Sequence, residues 1–280
     1  MVVAIVAAPT GACVATPTGH VRRVSTLREH LCAEPFALAL SSGFFGFFAH
    51  AGLLTVLEDE GLAPTRLAGS SAGALVAGCW ASGLDAPKIA DRFLSLRREE
   101  FWDPAPGLGL LRGRRFRALL DETLPNARFD TCRAPVAVSV FDLLARCTAV
   151  IDRGELAPAI HASAAFPGMF QPVPVNARPC LDGGIADRPG TLGLPVGARV
   201  LYHHLSSRSP WRRRGSPALA VPERAGQVAL VIDGLPRVSP FDLAAGARAF
   251  AAAREAARRA LDLTPKGDDA RGLVVRLEAK

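Results

Sequence analysis

Two stretches decide the fold: Pro35–Leu57, PFALALSSGFFGFFAHAGLLTVL, and Leu67–Leu84, LAGSSAGALVAGCWASGL. The first runs 23 residues and the second 18 without an Asp, Glu, Lys or Arg. Length alone makes each a candidate membrane span. Their internal order says otherwise. Phe36–Leu40 is a short apolar strand, Ser41-Ser42-Gly43-Phe44-Phe45-Gly46 is a glycine-containing turn, and Phe47–Glu60 carries helical periodicity stopped by Gly61. The second stretch repeats the plan, with a strand ending at Leu67-Ala68, the turn Gly69–Gly73, and a helix over Ala74–Ala81 stopped by Gly83. A spanning helix would have to hold Ser41-Ser42-Gly43 or Gly69-Ser70-Ser71 in mid-bilayer, and to do so twice. Each stretch reads instead as a buried strand passing through a tight turn into a buried helix.

The rest of the chain extends this pattern. Val2–Ala8 reads as a strand and Val24–Cys32 as a helix, so residues 1–34 are expected to form an N-terminal extension packed on the core of a domain spanning 35–280. Helices are expected over Pro87–Arg98 and Arg114–Leu124, separated by the Pro- and Gly-rich loop Trp102–Gly113. Strands follow at Val136–Phe141 and Cys147–Ile151, then a hairpin leading into Leu181-Asp182-Gly183-Gly184. Arg199–Leu205, Gln227–Ile232 and Leu273–Leu277 supply further strands, and Phe241–Leu261 an Ala- and Arg-rich helix. Strands alternating with helices predict a three-layer α/β/α domain with a mostly parallel central sheet.

Composition narrows the function classes. Of 280 residues 49% are hydrophobic and 21% charged, which excludes a disordered chain. Lys and Arg number 33 against 26 acids, a formal net charge of +7. These charges are spread out except at Arg212-Arg213-Arg214, and no nucleic-acid motif accompanies them, so nucleic acid is not expected as a partner. Six cysteines at irregular spacings, with no C-x-x-C, support neither a disulfide framework nor a zinc site, and neither metal nor cofactor is expected. Cys79 and Cys147 lie in apolar runs and are expected to pack as small hydrophobes. The apolar Met1–Ala8 lacks a basic n-region, so a cytoplasmic setting is the expectation.

Three elements carry chemistry. Gly69-Ser70-Ser71-Ala72-Gly73 is G-x-S-x-G between strand and helix, the setting of a nucleophile elbow. Gly69 and Gly73 remove Cβ atoms where strand and helix close together, and Ser71 then projects at a helix N-terminus, where unpaired N–H groups favour negative charge. Taken alone, the pentapeptide suits tight strand–helix packing equally well. The turn containing Gly43 and Gly46 can supply N–H donors to an oxyanion, each contributing about 2.7–4 kcal/mol to transition-state stabilisation. It can also be an ordinary strand-to-helix turn. Asp182-Gly183-Gly184 brings a carboxylate close to neighbouring backbone, or is a plain turn.

In this order the elements resemble the patatin-like phospholipase family over about Phe36–Pro189. Leu38–Gly52 looks like its glycine-rich oxyanion segment, AGSSAGALVA (Ala68–Ala77) like its serine elbow, ASAAFPGMFQPV (Ala162–Val173) like its Ala-Ser-x-x-x-Pro segment, and LDGGIADRP (Leu181–Pro189) like its Asp-Gly-Gly element. The resemblance implies hydrolysis of a lipid or other acyl ester by a Ser–Asp dyad in a patatin-like catalytic domain. Ser71 would be the nucleophile, Asp182 the general base, and amides near Gly43 and Phe44 the oxyanion hole, with Gly46, Gly69, Gly73, Gly183 and Gly184 as motif support. The family's oxyanion segment commonly reads Gly-Gly-Gly-x-Arg-Gly. Here Ser41 and Ser42 replace two glycines and Phe45 the arginine. Serine adopts positive φ reluctantly, which makes the loop geometry the point to test. The missing guanidinium lowers the expected preference for anionic head groups, and the Gly-Phe-x-Gly version resembles branches acting on neutral glycerolipids.

Two rival readings remain. An α/β-hydrolase esterase would use Ser71, Asp182 and either His203 or His204, in that family's chain order, although no His-Gly-Gly loop is present. A non-catalytic lipid-binding protein of the same fold would need only the cleft. His50 follows the glycine turn and reads first as a structural histidine. Five phenylalanines between Phe36 and Phe48 suit an acyl-chain cleft or plain core packing. Peripheral membrane contact is a further option, through Trp211 with Arg212–Arg214 or through the arginine-bearing helix Phe241–Leu261. The sequence says nothing of oligomeric state.

Overall fold

The computed structural model describes residues 25–206, 216 and 219–279. The expected strand Val2–Ala8 and the Trp211–Arg214 loop lie outside the described residues. Among these the chain builds one sheet of ten strands. Six of them, β1 (Ala37–Leu40), β2 (Arg66–Ser70), β3 (Val136–Asp142), β7 (Val200–His204), β8 (Gln227–Asp233) and β10 (Gly272–Glu278), run parallel in the order β3-β2-β1-β7-β8-β10. Antiparallel strands finish the edges. β4 (Cys147–Ile151) and β6 (Arg178–Asp182) pair with β3, β5 (Val173–Val175) pairs with β6, and β9 (Lys266–Asp268) pairs with β10.

The α/β class expected from the sequence holds: a mostly parallel sheet flanked by helices. The helices are α1 (Leu27–Ala33), α2 (Phe47–Asp59), α3 (Ala72–Ala81), α4 (Ala86–Leu94), α5 (Arg114–Thr123), α6 (Leu156–Ser163) and α7 (Ala245–Leu261). Thr26 and Glu29 form a capping box that starts α1, whose Leu27 and Leu31 are buried in the main core. Pro87 opens α4, where its missing N–H leaves no bond unmade.

The two faces of the sheet differ in residue size. Strand alternation points Leu38 and Leu40, Leu67, Val136, Val138, Val140, Leu201, Val228 and Leu230 into the large core shared with the helices. The intervening Ala37, Ala39, Ala68, Ala137 and Ala229 form a thin second layer with Tyr202, against which Leu194 and Val221 of connecting segments pack. Small side chains let those connections lie close: a Cβ on Gly193 would stand 2.3 Å from that of Ala137.

Several boundaries moved. α3 begins at Ala72, directly after Ser71, rather than at Ala74. α7 begins at Ala245 rather than Phe241, because the Asp242 carboxylate accepts the Ala245 amide and a turn holds Ser239–Asp242 outside the helix. The helix expected to reach Arg98 stops at Leu94 and gives way to a short 3₁₀ turn at Arg98–Glu100. α6 and β9 were not visible in the sequence pattern. Cys79 is buried, as an apolar run implies, but Cys147 is exposed, because it begins β4 at an edge of the sheet.

Close packing of α2 on α7 yields a test. A Cβ on Gly52 would meet the Phe250 carbonyl oxygen at 2.6 Å and the Arg254 nitrogen at 3.0 Å. Alanine in a helix gains about 1 kcal/mol over glycine, whereas overpacking against backbone costs about 1–3 kcal/mol. Gly52→Ala is therefore expected to lower the urea midpoint, and an unchanged or raised midpoint would show that the helices separate freely.

Candidate active site

Ser71 sits between β2 and α3 at φ 54° and ψ −118°, a backbone state that side chains rarely adopt. The neighbours enforce it. Cβ atoms at Gly73 and Gly69 would lie 2.0 Å from the Leu40 carbonyl oxygen and 2.5 Å from the Gly73 carbonyl carbon, so only glycine allows the strand and helix to approach this closely. The strained turn aims the Ser71 hydroxyl at Asp182, the last residue of β6: Oγ donates to Oδ2 at 2.6 Å. The other carboxylate oxygen, Oδ1, accepts the Gly184 amide at 2.7 Å. Gly183 must be glycine here, since a Cβ would stand 2.0 Å from the Ser139 carbonyl oxygen.

The end of α6 holds both partners. Ser163 Oγ accepts the Ser71 amide at 2.9 Å and donates to the Ser139 carbonyl at 2.7 Å, while the Ala165 carbonyl accepts the Asp182 amide at 3.0 Å. Ser163 is fully buried. Its importance was not read from the sequence, although it lies in the Ala-Ser-x-x-x-Pro segment that carried part of the resemblance. Asp187, five residues past Asp182, is a buried supporting carboxylate. It accepts the Ser139 hydroxyl at 2.6 Å and the Gly190 amide at 3.0 Å.

The loop after β1 forms the facing wall. Ser41 and Ser42 replace glycines without strain, because neither has positive φ; the left-handed residue is Phe45, at φ 52°. Ser41 Oγ accepts the Leu205 amide at 2.9 Å, and the Ser42 amide donates to the Arg188 carbonyl at 2.8 Å. The Phe45 ring lies among Phe44, Phe47 and Phe101, with centroids 5.0–6.1 Å away, and these contacts offset its backbone cost. The amides of Gly43 and Phe44 make no hydrogen bond among the described residues, and both residues line the cavity that contains Ser71 and Asp182. The Ser71 amide, already taken by Ser163, is not available to a ligand.

That cavity has a volume of about 660 Å³ and is mostly apolar, with Phe93, Phe101, Phe116, Leu120, Phe166 and Met169 among its walls. Phe44, Phe45 and Phe47 line it, whereas Phe36 and Phe48 belong to the core, so the phenylalanine cluster divides between the two expected roles. Arg188 is a cavity-lining residue that sequence reading passed over, and its buried guanidinium donates to the Leu205 carbonyl.

No imidazole hydrogen-bonds Ser71 or Asp182 among the described residues. His203 Nδ1 lies 2.9 Å from His50 Nδ1, and His50 Nε2 lies 2.8 Å from the Ser41 carbonyl oxygen. That carbonyl requires a proton on His50 Nε2, so in the neutral pair His203 Nδ1 donates to His50 Nδ1. His204 Nδ1 pairs with the Tyr202 hydroxyl at 3.0 Å. Both strand histidines are buried. Burial holds His50, His204 and His161 down to about 4 and His203 well below its usual value.

These positions fit a serine–carboxylate site within an α/β sheet. A family model described as patatin-like phospholipase matches residues 38–194, more than half of the chain, which therefore belongs to that family. An uncharacterised NTE family protein of Mycobacterium tuberculosis is 35% identical over 156 residues, covering 54% of this chain and 43% of the relative. A lysophospholipase of Mycosarcoma maydis is 24% identical over 191 residues, covering 65% of this chain and 10% of its own length. The chain thus spans less than half the length of these relatives. Among solved structures, VipD of Legionella pneumophila aligns with a TM-score of 0.42 and 16% identity, covering 72% of this chain and 50% of its own.

The buried histidines set a pH dependence. Each is neutral in the fold but takes a proton near its usual value of 6.5 once unfolded, so the unfolded state binds more protons below that pH. Stability is expected to be complete above about pH 6.5 and to fall steadily toward about pH 4, read as the urea midpoint at successive pH values. A flat profile across that window would show the imidazoles to be hydrated.

Proposed function

We propose that the chain hydrolyses lipid carboxylic esters, with Ser71 as nucleophile and Asp182 as general base. One observation carries the reading: the 2.6 Å hydrogen bond from Ser71 to Asp182 at the wall of an apolar cavity. Asp182 takes the hydroxyl proton as Oγ attacks the ester carbonyl carbon, and the carbonyl oxygen becomes an oxyanion. The amides of Gly43 and Phe44 donate to that oxyanion. Collapse breaks the ester bond, Asp182 returns the proton to the departing alcohol, and Ser71 keeps the acyl group. Water then gives a proton to Asp182 as its oxygen bonds to the acyl carbon, and as the acyl–Oγ bond breaks Asp182 passes that proton to Ser71 Oγ, releasing the acid and restoring both groups.

Family membership supports this reading, as does similarity to the Mycosarcoma lysophospholipase. The cavity supports an acyl chain as the recognised part, since its aromatic and aliphatic walls offer little to a polar group. The volume lies within the range of about 300–1,000 Å³ usual for small-molecule sites.

Ser71→Ala and Asp182→Asn are each expected to lower kcat/KM on p-nitrophenyl butyrate by about a thousandfold or more. His203→Ala and His204→Ala should retain turnover in whatever fraction folds. Loss of activity in a folded histidine variant would favour a triad. A fluorophosphonate probe should label the wild type but not Ser71→Ala, and absence of labelling would favour a lipid-binding protein without catalysis. Along a series of acyl lengths, each methylene contributes about 0.8 kcal/mol of burial, so KM should fall by up to about fourfold per carbon until the cavity is filled. A KM indifferent to length would place the chain outside the cavity.

A further inference from the structure

The segment between the 3₁₀ turn ending at Glu100 and α5 forms a tongue over one wall of the cavity. Its two limbs are held together by Ala105 N–H to the Leu110 carbonyl at 3.0 Å and by Arg112 N–H to the Asp103 carbonyl at 3.0 Å. Its inner side is strapped to the wall: the Leu110 and Leu111 amides donate to the Gly168 and Met169 carbonyls at 3.0 and 2.7 Å. Gly168 and Met169 both line the cavity, and Leu111 is fully buried beneath them. The outer side is apolar and open to solvent. Leu108 is 82% exposed and Leu110 51% exposed.

At the base of the tongue the apolar surface continues. Trp102 meets the ring of Phe241 edge-on at 5.7 Å, and Phe241 is 74% exposed. Phe101, next in the chain, lines the cavity, so apolar surface runs from the cavity wall to the outside. The Arg98 guanidinium lies 5.6 Å from the Trp102 ring and 5.9 Å from the Phe241 ring. The same segment is rich in arginine. Positions 97–117 hold six arginines against Glu99, Glu100 and Asp103. Glu100 is paired with Arg92, and Asp103 is occupied by the Gly113 and Arg115 amides, while Arg98, Arg112 and Arg114 are exposed.

We propose that this face, with Leu108, Leu110, Trp102, Phe241 and the arginines of the segment, docks on a lipid surface bearing anionic head groups. Exposed leucine and aromatic tips insert at the head-group level, and arginines beside them neutralise anionic lipid. A second copy of this chain fits poorly, because a two-fold contact would set the same arginines against each other. The docked face borders the cavity, so an ester leaving the bilayer reaches Ser71 with little passage through water. This last consequence rests on the proposed hydrolysis; the docking does not.

The test is co-sedimentation of the full chain with vesicles of phosphatidylcholine, with and without phosphatidylglycerol. Wild type is expected to pellet with the phosphatidylglycerol vesicles and much less with phosphatidylcholine alone. Leu108→Ser with Leu110→Ser and Phe241→Ser should reduce partitioning by about tenfold or more, and Arg98→Gln with Arg112→Gln and Arg114→Gln should abolish the preference for phosphatidylglycerol. Both variants should keep the wild-type urea midpoint, which shows that they are folded. Ser71→Ala should bind vesicles as the wild type does, so failure of the esterase reading leaves this result intact. Unchanged partitioning in the apolar variant, no binding by the wild type, or a dimer that the apolar variant dissociates would each overturn the proposal.

Discussion

The structure turns on the left-handed backbone of Ser71. A residue with φ 54° between a strand and a helix persists only where its surroundings leave no alternative. Here three close approaches remove the alternatives. Gly73 lies against the Leu40 carbonyl, Gly69 against the first turn of α3, and Gly190 against the backbone of Gly69 and Ser70. Ser163 then binds the Ser71 amide from the far side. Parallel pairing of β1 with β2 carries Leu40 to Gly69, which is why the loop after β1 and the serine turn after β2 open into the same cavity.

Charge is arranged with economy around this point. Asp182 accepts the Ser71 hydroxyl and the Gly184 amide, Asp187 accepts the Ser139 hydroxyl and amides of the following loop, and the nearby histidines are kept neutral by burial. The His50–His203 pair serves the loop after β1, because it ends on the Ser41 carbonyl. An imidazole in this sheet is thus a structural strut, and the carboxylate is the group in contact with the serine. The absence of arginine at position 45 is matched by an aromatic cluster, which suits a cavity walled by apolar groups.

Much of this was legible beforehand. The two charge-free stretches were readable as strand, turn and helix because burial on both sides of a parallel sheet requires unbroken apolar runs, and glycine marks where backbones touch. Ser71 and Asp182 stood out through their glycine neighbours. Ser163 did not, since a serine in an alanine-rich helix carries no local mark of the amide it receives from 92 residues away. The start of α7 was missed because the Asp242 side chain captures an amide that periodicity assigns to the helix. Cys147 was misplaced because apolar neighbours in sequence say nothing about which strand lies at an edge.

The sequence by itself determined the class of fold and the strand–turn–helix units, because those depend on local periodicity and on glycine at contacts within a few residues, and its family resemblance singled out the two residues joined by the 2.6 Å hydrogen bond. Only the tertiary structure decided that Ser163 and Ala165 hold both partners, that Phe45 rather than Ser41 or Ser42 bears the unusual backbone, and that the histidines pair with each other. It also decided that Trp102, at the base of the tongue, meets the exposed ring of Phe241. Each of these depends on segments distant in the chain meeting in space, and no pattern of nearby residues encodes such a meeting.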